Sequence, residues 1–152
     1  MPALGKKARL GVGLMKIMTA QITDIQSIVQ IDCEVIGNSS RLDLIENAIK
    51  QERCILVKEK NEVAAFSIYD TSFFECTFIS LLIVSPAKRR KGYASQMLNE
   101  LVRISPTKKV FSSTNRSNES MQKVFIANGF VESGIVENLD EGDPEIIYFK
   151  AK

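Results

Sequence analysis

The residues best placed to do chemistry are Lys88-Arg89-Arg90-Lys91-Gly92-Tyr93-Ala94, four cations leading into a glycine and a small residue. An amphipathic segment follows. A helix that starts here offers first-turn backbone N–H groups and the positive end of its dipole, and both favour a phosphate. Gly92 lets the backbone come close to a ligand, and Ala94 keeps side-chain bulk out of the cradle. The chemistry implied is capture of a diphosphate. The plain alternative is a solvated basic face or a localisation signal.

A second cluster has the opposite sign. Glu137, Asp140, Glu141, Asp143 and Glu145 place five carboxylates within nine residues, with no Lys or Arg among them. Such a loop either is simply solvated or borders a cleft and draws in a cationic amine. On that second reading Asp140, Glu141 and Asp143 bind the acceptor.

Composition narrows the reaction classes. The 152 residues contain no histidine, which excludes Ser-His and Cys-His nucleophile pairs and histidine-containing zinc sites. No metal site is expected. Cys33, Cys54 and Cys76 are odd in number, widely spaced and without a CxxC, so they read as buried thiols in a reducing, cytoplasmic setting. Net charge is +2, which implies no polyelectrolyte partner, and no apolar run approaches the length of a membrane span. Aromatic residues do not interleave the short basic run, so nucleic-acid binding is a weak third reading.

The elements that must position these residues follow from periodicity. Lys16 to Ala20 reads as a strand. Thr23 and Gln26 fit a capping box for a helix carrying Ile25, Ile28, Val29 and Ile36 and ending at Gly37. Ser39 or Ser40 caps a second helix with the stripe Leu44, Ile45, Ala48 and Ile49. Cys54 to Val57 and Val63 to Tyr69 form a hairpin around Glu59-Lys60-Asn61. Cys76 to Val84 is nearly continuous and apolar, as in a strand buried on both faces. Ala94, Met97, Leu98, Leu101 and Val102 mark the helix after the basic turn, which Ser105-Pro106 ends. Lys109 to Thr114 is a strand, and Met121, Val124 and Phe125 mark a helix stopped by Asn128-Gly129. Phe130 to Val136 and Glu145 to Phe149 close the chain as strands. The order β-α-α-β-β-β-α-β-α-β-β implies an α/β (α+β) mixed sheet with helices on its faces. Residues 1–14 read as a flexible leader, with Met15 an alternative start, and residues 15–152 as a single domain.

Two linked motifs carry a family resemblance. Val84-Ser85-Pro86 followed by Arg89-x-x-Gly92-x-Ala94, and Asn118 seven residues before Phe125 with Asn128-Gly129-Phe130 behind it, resemble the GNAT N-acetyltransferase superfamily. The resemblance covers Met15 to Lys150. It implies the GNAT acyl-CoA N-acyltransferase fold and acetyl-CoA as cosubstrate. Leu82, Ile83 and Val84 would supply backbone groups to the acetyl-pantetheine arm. The amides from Arg89 through Arg90, Lys91, Gly92, Tyr93 and Ala94 to Ser95 would hold the diphosphate. Asn118 and Phe125 would face the thioester.

The resemblance also implies direct transfer: an amine attacks the thioester, a base takes its proton, and an acid protonates the leaving thiolate. Relatives place a tyrosine acid four residues before the Gly of Gly-Phe, and here that position is Phe125, which has no hydroxyl. Glu75, just before the fourth strand of the family order, lies nearest the usual carboxylate base; the alternative is an ordinary surface glutamate. The leading expectation is an acetyl-CoA-dependent N-acetyltransferase acting on a small-molecule or protein amine. The alternative is a non-catalytic CoA-binding sensor or interaction module. An exposed last strand offers an edge for a homodimer.

Overall fold

A computed structural model of the protein describes residues 7–10 and 13–152, with side chains from residue 17 onward. The chain forms two compact units. One comprises the described residues up to Tyr69 together with Leu81–Met97, the other Asp70–Ser80 together with Leu98–Lys152.

In the first unit the strands β1 (Lys7–Leu10), β2 (Gly13–Thr19), β3 (Cys54–Glu59) and β4 (Glu62–Phe73) pair antiparallel in that order. Alternating apolar residues send Cys54, Leu56, Phe66 and Ile68 to one face. There they form a core with Ile28 and Ile31 of α1 (Ile25–Ile36) and Ile45, Ala48 and Ile49 of α2 (Leu42–Lys50). Gly37 ends α1 in a left-handed conformation (φ 83°), which a glycine adopts without steric penalty. Asp32, 1% exposed, accepts two bonds from Arg41, from Nε at 3.0 Å and Nη2 at 2.5 Å, tying α1 to the start of α2. The β3–β4 connection is a two-residue turn, Lys60-Asn61, both with positive φ (52° and 67°), as a type I′ hairpin demands.

In the second unit β5 (Cys76–Val84) begins parallel to β6 (Lys109–Asn115), with Thr77–Ile79 in register with Val110–Ser112. Antiparallel to β6 runs β8 (Glu145–Ala151), and antiparallel to β8 runs β7 (Val131–Val136). The helix α3 (Tyr93–Ile104) contributes buried Leu98 and Leu101, and α4 (Glu119–Ala127) contributes Phe125. Thr77 and Ser105 share a buried hydroxyl contact of 2.8 Å, which secures the end of α3 where Pro106 stops it.

The mixed α/β class and the element order agree with the sequence patterns, and several local expectations do not. Lys7–Leu10, inside the expected leader, pairs as β1 with β2, while residues 1–6, 11 and 12 lie outside the described residues. Thr23 does not cap α1. The Asp24 carboxylate takes the Gln21 N–H at 2.8 Å instead, with residues Ile22–Asp24 in a 3-10 turn. Neither Ser39 nor Ser40 caps α2, because a turn at Ser40-Arg41 precedes the helix, which begins at Leu42 with Arg41 at the cap. The β5 strand is not buried on both faces: Thr77 and Ile79 are buried, whereas Leu81 to Val84 are half-buried and Ser80 is exposed. Of the three thiols Cys54 alone is buried, and burial pushes it up to about 12. The last strand is interior to its sheet, between β6 and β7, so the exposed edge belongs to β7.

Candidate functional site

In the first unit the basic segment forms a compact loop between β5 and α3. Leu82, Ile83 and Val84 end β5 half-buried, and the Ser85 N–H donates to the Ala64 carbonyl at 2.8 Å. Pro86–Lys88 make one 3-10 turn, closed by the Lys88 N–H on the Ser85 carbonyl at 2.8 Å. Arg90 (φ 64°) and Gly92 (φ 83°) then take left-handed conformations, and α3 starts at Tyr93. The first intrahelical bond is Gln96 N–H to the Gly92 carbonyl, 3.1 Å. Two left-handed residues around Lys91 wrap the chain so that the helix start opens onto the loop. Ala94 and Ser95 are half-buried, while Arg89, Arg90, Lys91 and Gly92 are exposed. This geometry suits an anionic group such as a phosphate, since a glycine and a small residue leave the backbone approachable at a helix start.

The four cations are not equivalent. Lys88 Nζ donates to Glu59 Oε1 at 3.2 Å, Lys91 Nζ donates to the same oxygen at 3.1 Å, and the Tyr93 hydroxyl donates to Glu59 Oε2. Tyr93 first, then Lys91 and Lys88, hold the Glu59 carboxyl down at about 2, well below the usual carboxylate range. Burial first and then that carboxylate push the Tyr93 phenol up to about 12. Sequence periodicity gave no sign of this cluster, because Glu59 stands 29 residues before the first of its partners. Its one legible signal is a carboxylate at the end of a hairpin strand.

In the second unit α4 presents the other motif. Asn118 is exposed and caps the helix, its Oδ1 accepting the Met121 N–H at 3.1 Å. Phe125 is 1% exposed, stacked on Tyr148 with ring centroids 4.6 Å apart and near Phe130 at 5.4 Å. Gly129 (φ 85°) reverses the chain, and the Phe130 N–H reaches the Phe125 carbonyl at 3.0 Å. Tyr148 is fully buried and its hydroxyl has no partner among the described residues. Burial drives that phenol above its ordinary range.

The acidic loop lies in the same unit and is folded rather than freely solvated. Asn115 Nδ2 donates to Asp140 Oδ2 at 2.9 Å, and the Ser117 hydroxyl and N–H both donate to Asp143, at 2.5 and 2.9 Å. The Ser117 hydroxyl, followed by its N–H, draws the Asp143 carboxyl below the ordinary range. Glu145 accepts from the Ser113 hydroxyl at 2.7 Å. Arg116, Glu137, Asn138, Asp140, Glu141 and Asp143 line a surface cavity of about 400 Å³. The sequence pattern missed Asn115, Arg116 and Ser117 as the partners of this loop. Glu75 falls in an exposed two-residue turn, Phe74-Glu75, both with positive φ (51° and 63°), joining β4 to β5. No group of three or more metal-ligating side chains occurs among the described residues, and no helix among them is long and apolar enough to cross a membrane.

Known proteins give the geometry its context. A crystal structure of a GNAT-family acetyltransferase from Bacillus cereus ATCC 10987 is 60% identical, with a TM-score of 0.89, covering 92% of this chain and 99% of that one. The ribosomal-protein-S18-alanine N-acetyltransferase of Escherichia coli shares the fold at 18% identity and a TM-score of 0.77, over 90% of this chain and 93% of that one. So does yncA of Salmonella typhimurium, solved with its cofactor acetyl-CoA, at 15% identity and a TM-score of 0.72, with coverage of 90% and 93%. A comparison with curated proteins gave no match. The model of the acetyltransferase (GNAT) family matches residues 22–130, a span that holds both the β5–α3 loop and α4. With a glycine-bearing loop at a helix start, and a family match running through it, this chain belongs to the GNAT acetyltransferase family.

Proposed function

We propose that the protein is an acetyl-CoA-dependent N-acetyltransferase, a single GNAT domain over residues 15–152 acting on a small-molecule or protein amine. The observation that carries this reading is the β5–α3 loop, in which Gly92 and the start of α3 offer backbone to a diphosphate. On this reading Arg89 to Ser95 hold the diphosphate, and Leu82, Ile83 and Val84 support the pantetheine arm. Asn118 faces the thioester, whereas Phe125, 1% exposed and packed on Tyr148, loses support as a residue that touches it. The amine nitrogen attacks the acetyl carbonyl, the carbon–sulfur bond breaks, and the CoA thiolate takes up a proton. Asp140, Glu141 and Asp143 attract the cationic acceptor. As base, Glu75 loses support, because it sits in an exposed turn.

A second reading, CoA binding without turnover, draws on Phe125. Its ring is buried between Tyr148 and Phe130 and carries no acid. A melting-temperature series with acetyl-CoA and CoA, followed by acetyl-CoA consumption with an amine panel, tests both. A ligand that binds the native state stabilises it by mass action, about 2.7 kcal/mol at 100 times Kd. Stabilisation with consumption supports the enzyme. Stabilisation without consumption by any amine supports the binding module, and no stabilisation at millimolar ligand overturns both.

A further inference from the structure

We propose that Glu59 is the positioning residue of the β5–α3 loop, gathering Tyr93, Lys91 and Lys88 onto one carboxylate and so pre-forming the turn that receives the coenzyme diphosphate. This rests on the reading of that loop as the acyl-CoA site.

Three features of the structure converge on it. Glu59 is the last residue of β3, immediately before the tight Lys60-Asn61 turn, so its backbone is fixed by strand pairing with Glu62. Its three donors come from three different parts of the loop. Lys88 ends the 3-10 turn, Lys91 lies between the two left-handed residues, and Tyr93 opens α3. One carboxylate therefore ties down the loop on both sides of Arg90 and Gly92. A loop with two left-handed residues carries a large ordering entropy, and fixing it before the ligand arrives removes that cost from binding.

The charge distribution supports the same role. Glu59 is 21% exposed at its side chain and Lys88 18%, so this pair is largely withdrawn from solvent, with Lys88 Nζ also 3.6 Å from Glu62 Oε2. Two of the four cations are thus turned toward Glu59, and Arg89 and Arg90 are left exposed beside the helix start. Phosphate capture then falls to backbone N–H groups and the two guanidinium groups. A bare carboxylate here would repel a diphosphate, and its three donors neutralise that field. The effect of Glu59 should therefore reach only ligands that carry a diphosphate.

The test compares wild type, Glu59→Gln, Tyr93→Phe and the double variant, each titrated calorimetrically with CoA and with pantetheine, which lacks the diphosphate. Glu59→Gln is expected to weaken CoA at least fivefold and leave pantetheine within twofold. Tyr93→Phe gives a smaller loss, also confined to CoA, and the double variant is no weaker than Glu59→Gln because both act through one contact. If Glu59→Gln does not fold, Tyr93→Phe decides, with a twofold or greater loss for CoA alone as the supporting result. Equal or tighter CoA binding by the variants overturns the proposal, as does an equal loss for pantetheine. Wild type that binds no CoA overturns the acyl-CoA reading itself, and this proposal with it. Wild type that binds CoA while the variants bind it equally well overturns the role of Glu59 alone.

Discussion

Tyr148→Phe offers a direct check on the packing beneath α4. The side chain is fully buried, its ring is stacked on Phe125 at 4.6 Å and 17°, and its hydroxyl has no partner among the described residues. A buried hydroxyl left unsatisfied costs roughly 1–3 kcal/mol. Removing the oxygen leaves a void of about 15 Å³, which at about 24 cal/mol per Å³ returns a penalty near 0.4 kcal/mol. The ring stack survives, since phenylalanine keeps it. The variant should therefore be more stable by about 1–2 kcal/mol, raising Tm by roughly 2–8 °C for a chain of this size. Calorimetric melting and urea unfolding, with an unchanged m value, measure it. A lower Tm would refute the reasoning, because it would mean that the hydroxyl has a partner in solution, such as an enclosed water.

Three further predictions follow from the site. Phe125→Tyr adds a hydroxyl to a ring 1% exposed, so it should lower stability by about 1–3 kcal/mol while raising acetyl-CoA turnover with an accepted amine; unchanged turnover would refute a missing acid. Neutralising Asp140, Glu141 and Asp143 to their amides should raise KM for a cationic amine several-fold and flatten its salt dependence, read in steady-state kinetics. Glu141→Gln alone separates steering from folding, because it leaves the Asn115–Asp140 and Ser117–Asp143 bonds intact. The Glu59 carboxyl is lowered from its ordinary 4.5 to about 2, so its stabilisation is fully present above about pH 4.5 and is lost as pH falls toward 2. Wild type should lose stability more steeply than Glu59→Gln across that window, and parallel acid-unfolding curves would contradict the ion cluster.

Much of the fold was legible because local periodicity reports burial. Met97, Leu98 and Leu101 recur at helical spacing and are all buried in α3, and Cys54, Leu56, Phe66 and Ile68 alternate onto one sheet face. Glycines at helix ends were equally readable, because Gly37 and Gly129 take the positive φ that other residues resist. Caps were less so. Thr23, Ser39 and Ser40 are good cap residues by type, but the helices begin one or more residues later, at Ile25 behind Asp24 and at Leu42 behind Arg41, so none of the three stands at the cap position.

The amino-acid sequence by itself determined the element order from β2 onward, the glycine-bearing loop before α3 and the family, since each rests on residues close together along the chain. It also determined that neither histidine nor the usual tyrosine is present for proton transfer. Tertiary structure alone decided which charges are available. It turned Lys88 and Lys91 onto Glu59, bound Asp140 and Asp143 to Asn115 and Ser117, and put Phe125 against Tyr148. These are contacts between residues 23 to 32 positions apart, set by how strands and turns meet, and no local spacing encodes them. A charge count shows how many ionic groups exist, whereas only folding determines which of them are already paired.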